Sequence, residues 1–157
     1  PDPRPLRRRH EGRRGGGIGR ACASGDVMMT LTILPVFAAI FAVMFVVLSF
    51  NVIRMRKRHK VGIGTGRNPA VERAMRVHAN FAEYTPFALL LLAFLELNKM
   101  NAAALCALCT VLLAGRLSHA YGVSMENERF IYRTAGMVMT FSVILIAAFA
   151  NLVIALR

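Results

Sequence analysis

Apolar residues in this chain gather into four long runs separated by polar breaks. The first runs from Leu31 to Ile53 without a charged residue. The second runs from Ala70 to Leu97, polar at its start and apolar after Tyr84. The third extends from Ala102 to about Tyr121, and the fourth from about Thr134 to Leu156. Each is long enough to cross roughly 30 Å of hydrocarbon at about 1.5 Å per residue. In lipid the backbone must satisfy its own hydrogen bonds, so the runs predict helices. The expected fold is an all-α membrane protein, a four-transmembrane-helix bundle occupying residues 28–157.

The second run carries a local start signal. Asn68 suits an N-cap, Pro69 suits the first helical position, and Glu72 complements the helix dipole. A helix from Pro69 to Leu97 would be roughly 43 Å long at about 1.5 Å per residue. That exceeds the hydrocarbon core, so its polar start belongs in the headgroup zone or inside a bundle.

Composition supports a membrane setting. The chain is 56% hydrophobic, above an ordinary soluble domain. Its formal net charge of +12 raises nucleic acid as a partner. The distribution argues against it: seven basic residues lie in the glycine-rich stretch Arg4–Arg20, and six lie between Arg54 and Arg67. Few aromatics interleave with either cluster, so no base-stacking surface is evident. Membrane lipids are the expected partner instead.

Of three cysteines, Cys22 lies outside the runs, while Cys106 and Cys109 lie inside the third. No histidine or carboxylate stands at metal-ligand spacing from them, and a disulfide framework is not supported. They read as packed apolar residues. Residues 1–27 have no hydrophobic period and are expected to be a disordered basic tail. Met28 and Met29 follow, and a natural start there is one expectation.

The basic residues Arg54, Arg56, Lys57, Arg58 and Lys60 follow the first run directly. The positive-inside rule places the Arg54–Asn68 loop in the cytoplasm, in a multi-pass protein of the cell membrane. The start of the second helix, the end of the third and the start of the fourth then share the cytoplasmic leaflet. Intramembrane polar residues concentrate there: Arg73, Arg76, Asn80 and Glu83; Arg116 and His119; Arg129 and Arg133. At about 100° per residue, the first four fall within an arc of about 80°, with Tyr84 at its edge. His78 lies on the far side and reads as a packing or subunit-contact residue. The pattern predicts one polar cavity with an excess of cations. Arginine forks bind carboxylate or phosphate bidentately, which suits an anionic ligand. The alternative is a structural network between helices, with the other arginines snorkelling to lipid phosphate.

Two motifs carry a resemblance. Glu72 to Pro86 reads E-R-x-x-R-x-H-x-N-x-x-E-Y-x-P, and Gly115 to Gly122 reads G-R-L-x-H-A-Y-G. With the weaker Arg133–Met137 stretch and the four-helix layout, they resemble the MAPEG family, the membrane-associated proteins of eicosanoid and glutathione metabolism. The small bacterial branch is the most similar. The resemblance implies a homotrimer in a bacterial inner membrane, with glutathione bound between subunits near the cytoplasmic side. It implies that Arg76, Asn80, Glu83 and Tyr84 hold the glutathione peptide, and that Arg73 and Arg116 reach its carboxylates. Glu83 would pair with its amino group. Arg133 would face the sulfur as the catalytic residue, with Arg129 one turn away as its alternative, and His119 joins the binding set. The implied activity is a glutathione-dependent transferase or peroxidase acting on a lipophilic small molecule. The sequence departs from eicosanoid-making members at His119 and around Val123, where those members carry tyrosines, which points away from leukotriene-type specificity. Two other classes stand beside this reading: a non-catalytic member of the family, and a small four-helix exporter. An exporter needs a membrane carboxylate, and the first helix has none.

Overall fold

The computed structural model describes residues 31–125 and 129–157. The expectations for the basic tail, for Cys22 and for a start at Met28 lie outside these residues. Four helices follow one another: α1 (Leu34–Arg58), α2 (Pro69–Leu97), α3 (Ala102–Ser124) and α4 (Phe130–Ala155). All four are long and apolar enough to cross a membrane.

The helix ends differ from the apolar runs. α1 starts at Leu34 rather than Leu31 and continues through Arg58, five residues past Ile53. Arg56, Lys57 and Arg58 occupy its last turn, where cations complement the dipole. The basic stretch after the first run therefore begins as helix. α3 continues to Ser124, and α4 starts at Phe130 rather than Thr134. Polar and aromatic residues at these ends break the apolar pattern without breaking the helix. α2 begins as its local signal predicts: Asn68 Oδ1 accepts from the N–H groups of Ala70 (3.0 Å) and Val71 (3.2 Å).

α2 is the hub of the bundle, packing against α1, α3 and α4, while α3 and α4 form the most extensive pair. α1 docks mainly on α2. It buries only Leu34 and Phe41, leaving most of its apolar surface outward, as a lipid-facing helix does. The apolar core is formed by Leu92 and Leu95 of α2, Leu105, Cys109 and Leu112 of α3, and Val143 of α4. These positions lie in the half of the bundle away from the polar residues. Cys109 is thus an apolar packing residue, and Cys106 is a free thiol beside it.

Two contacts set the helix positions. Gly115 and Gly136 let α3 and α4 approach closely: a Cβ on Gly136 would lie 2.5 Å from the Gly115 carbonyl and 2.6 Å from the His119 nitrogen. Small residues serve membrane helix interfaces in this way. At the opposite end, Glu96 of α2 caps α1. Its Oε1 accepts from the N–H groups of Thr32 and Ile33 (2.6 Å each), and its Oε2 from that of Leu34 (2.9 Å). The α1 N-cap residue, Ile33, has no side-chain oxygen, so a distant carboxylate satisfies the first turn instead.

Glu96→Ala is expected to lower stability by about 1–2 kcal/mol, the usual cost of a lost cap. Thermal unfolding in detergent, followed by circular dichroism, measures it; an unchanged midpoint would remove the cap from the account. Gly136→Ala is expected to cost about 1–3 kcal/mol by overpacking. Gly62→Ala, where nothing lies within 4 Å, serves as the neutral control.

Candidate functional site

The Asn68 cap starts α2 so that Arg73, Arg76 and Asn80 fall on one stripe of the helix. This stripe forms one wall of a cavity of about 640 Å³. His119 and Val123 of α3 and Arg133 of α4 supply the facing walls, and Glu72 sits at its edge. Polar residues from three helices thus meet at one end of the bundle. Among the described residues, the lining contains three arginines and one carboxylate, Glu72.

Asn80 links the three helices. Its Oδ1 accepts a hydrogen bond from Arg116 Nη2 of α3 at 2.7 Å, and its Nδ2 lies 3.5 Å from Met137 Sδ of α4. Arg116 itself does not line the cavity. It is 1% exposed, and its guanidinium carbon stands 5.6 Å from the centre of the Phe81 ring. The ring face attracts the cation, and Asn80 orients one edge of it. Arg116 Nε and Nη1 have no partner among the described residues. One turn on, His119 is 4% exposed, and its Nδ1 also has no partner. Buried polar groups are normally satisfied, so these nitrogens, the His119 one in the cavity wall and the Arg116 ones behind it, are exceptions.

The remaining candidates lie elsewhere. Glu83 is exposed on the surface of α2 and does not line the cavity. Tyr84 is half-buried, with its ring edge-on against Phe141 of α4 at 5.3 Å. Arg129 is the exposed N-cap residue of α4, one turn before Arg133, and is not part of the lining. The face read from helical angle therefore divides by depth. Arg73, Arg76 and Asn80 enter the cavity of the single chain, while Glu83 and Tyr84 lie beyond it. His78 points away as its angle predicts: it bonds Ser49 Oγ at 3.0 Å and packs its ring 4.9 Å from that of Phe45.

Two contributors escaped the sequence reading. Glu72, read as a complement to the helix dipole and the first residue of the first motif but not as a site residue, lines the cavity. Gly122 shapes the wall: a Cβ there would stand 2.7 Å from the Arg133 backbone nitrogen. Only glycine lets α3 approach the first turn of α4 so closely. Its presence at the end of the second motif was the available signal.

Comparison with known proteins agrees with this architecture. The model of the MAPEG family matches residues 34–153. The protein named inner membrane protein YecN, from Escherichia coli strain K12, is 35% identical over 116 residues, covering 74% of this chain and 87% of the relative. The protein of the same name from Escherichia coli O6:H1 matches to the same extent, 35% over 116 residues. No solved structure matches the chain. A family match across all four membrane-length helices, with a relative of this similarity, leads to one conclusion: the chain is a multi-pass membrane protein belonging to the MAPEG family.

Proposed function

We propose that the cavity binds glutathione and that the protein is a membrane transferase or peroxidase acting on a lipophilic electrophile. The observation that carries this reading is the cation-rich cavity, lined among the described residues by Arg73, Arg76 and Arg133 against Glu72, with Arg116 held behind Asn80. An excess of guanidinium groups fits a peptide with two carboxylates and a thiol. Glutathione, when bound, supplies the nucleophilic sulfur, so the protein needs no nucleophile of its own.

The protein's residues have separate tasks. Arg73 and Arg76 hold carboxylates through charge-assisted hydrogen bonds. Glu72 is placed to accept from an amino group. Asn80 fixes the Arg116 guanidinium and so shapes the cavity floor. Arg133 lies in the first turn of α4, where its charge adds to the positive end of the helix dipole. An electropositive position of this kind favours thiolate over thiol. Arg133 is therefore assigned the catalytic role as electrostatic stabiliser.

Glu83, Tyr84 and Arg129 complete the site where a neighbouring copy closes the cavity, in the homotrimer that the family suggests. The exposure of Glu83 and Arg129, both outside the cavity lining of the single chain, fits this arrangement. The basic end of α1 lies at the same end of the bundle and, by the positive-inside rule, puts the cavity mouth in the cytoplasm. The inner-membrane name of the YecN relatives supports the same location. The lipophilic substrate enters from the bilayer.

Calorimetry on detergent-solubilised protein is expected to detect glutathione binding below millimolar concentration. Arg76→Ala should weaken it about tenfold or more, as expected for a lost hydrogen bond to a charged group. Arg133→Ala should keep binding within a few-fold but lower turnover of a model electrophile about a hundredfold or more. No binding at millimolar glutathione would overturn the reading. Binding without turnover in the native chain would make it a non-catalytic member of the family.

A further inference from the structure

A second cavity, about 460 Å³, lies between the carboxy-terminal end of α1, the first turns of α2 and Ser124 at the end of α3. Arg54 and Arg58 of α1 and Arg73 of α2 line it, together with Asn51 and His59. No carboxylate lines it among the described residues. A third cavity, about 430 Å³, adjoins it, since Asn51 and Arg54 belong to both. The remaining walls of that third cavity are Val47, Leu48 and Phe50, all apolar. A cationic cradle thus stands at the head of an apolar groove along α1.

We infer that this pair of cavities is a binding site for an anionic diacyl phospholipid. The phosphate occupies the cradle of Arg54, Arg58 and Arg73, and an acyl chain occupies the groove of Val47, Leu48 and Phe50. Three observations support the assignment. First, guanidinium forks bind phosphate bidentately, and three converge with no competing carboxylate among the described residues. Second, the change from apolar to basic falls between Ile53 and Arg54, where a membrane span gives way to the headgroup layer. Third, the groove opens to the lipid side: Val47 is 60% exposed and Phe50 66%. A free phosphate ion would use the cradle but not the groove.

The cradle is also built. Arg54 Nη2 donates to Asn51 Oδ1 at 3.1 Å, which holds one fork in place. His59 is hydrogen-bonded through Nδ1 to Asn68 Nδ2 at 3.0 Å, and Asn68 is the residue that caps α2. This site is separate from the glutathione reading and does not rest on it. The two cavities share Arg73 alone, so that residue is left intact in the test.

The test is native mass spectrometry of the full chain in detergent, with phosphatidylglycerol, with phosphatidylcholine of the same acyl chains, and with glycerol phosphate as competitor. Phosphatidylglycerol should stay bound when phosphatidylcholine does not. Arg54→Ala/Arg58→Ala should weaken its retention about a hundredfold or more, the loss of two charge-assisted, forked contacts to the phosphate. Lys57→Ala/Lys60→Ala removes the same charge outside the cradle and should stay within about twofold of the native chain. Val47→Trp fills the groove from an exposed position, leaves every charge in place, and should also weaken retention; it decides the matter if the double arginine variant fails to fold. Equal retention of the two lipids would overturn the proposal. So would equal losses in the two double variants, which would indicate a general basic surface. Displacement of the lipid by equimolar glycerol phosphate would do the same, indicating a site for soluble phosphate.

Discussion

Arg116 leaves 1% of its surface accessible, inside helices that cross a bilayer. A guanidinium placed there needs partners for its N–H groups, and a central position costs about 3 kcal/mol even on insertion scales. Among the described residues it has one hydrogen bond, from Nη2 to Asn80, and the face of Phe81, while Nε and Nη1 have none. An apolar side chain would fill the same volume at lower cost. The polar end of the bundle is organised around this position: Asn80 contacts Arg116 and Met137, His119 stands one turn away, and the cavity opens beside them.

The glycines of the α3–α4 pair make the arrangement possible. Gly115 precedes Arg116, and its partner Gly136 packs against His119. Gly122 brings the first turn of α4, and with it Arg133, against α3. The apolar half of the bundle then holds this geometry in place through Leu92, Leu95, Leu105 and Leu112. Close approach at the glycines, a packed apolar half and a polar cavity at the other end are successive consequences of one crossing.

The sequence was most legible where the signal is local or repeated. Four apolar runs predicted four helices, and the Asn68 cap placed the start of α2 to the residue. Helical angle placed Arg73, Arg76 and Asn80 together and turned His78 away from them, where it meets Ser49. Angle carries no information about depth, so it did not separate Glu83 and Tyr84 from the cavity, nor give Glu72 its place there. Glu96 was legible only as a polar residue near a helix end. Its partners, Thr32 to Leu34, are 62 to 64 residues away, and no local pattern reports such a contact. The ends of α1 and α4 were misplaced because hydropathy marks the hydrocarbon boundary, whereas the helices continue into the headgroup layer.

We propose that Arg116 serves the ligand cavity, through the Asn80 side chain that it holds in the lining, rather than the fold. Thermal unfolding with and without glutathione, in the native chain and in Arg116→Met, tests it most directly. Asn80 lines the cavity, so its freed oxygen can turn to water in the variant. Without ligand, Arg116→Met should unfold no earlier than the native chain, because replacing a buried charge by an apolar side chain is often neutral or stabilising. Glutathione at about a hundred times its dissociation constant should stabilise the native chain by about 2.7 kcal/mol, and most of that gain should vanish in the variant. A variant that unfolds earlier yet keeps the full gain would contradict the claim and make Arg116 a structural residue.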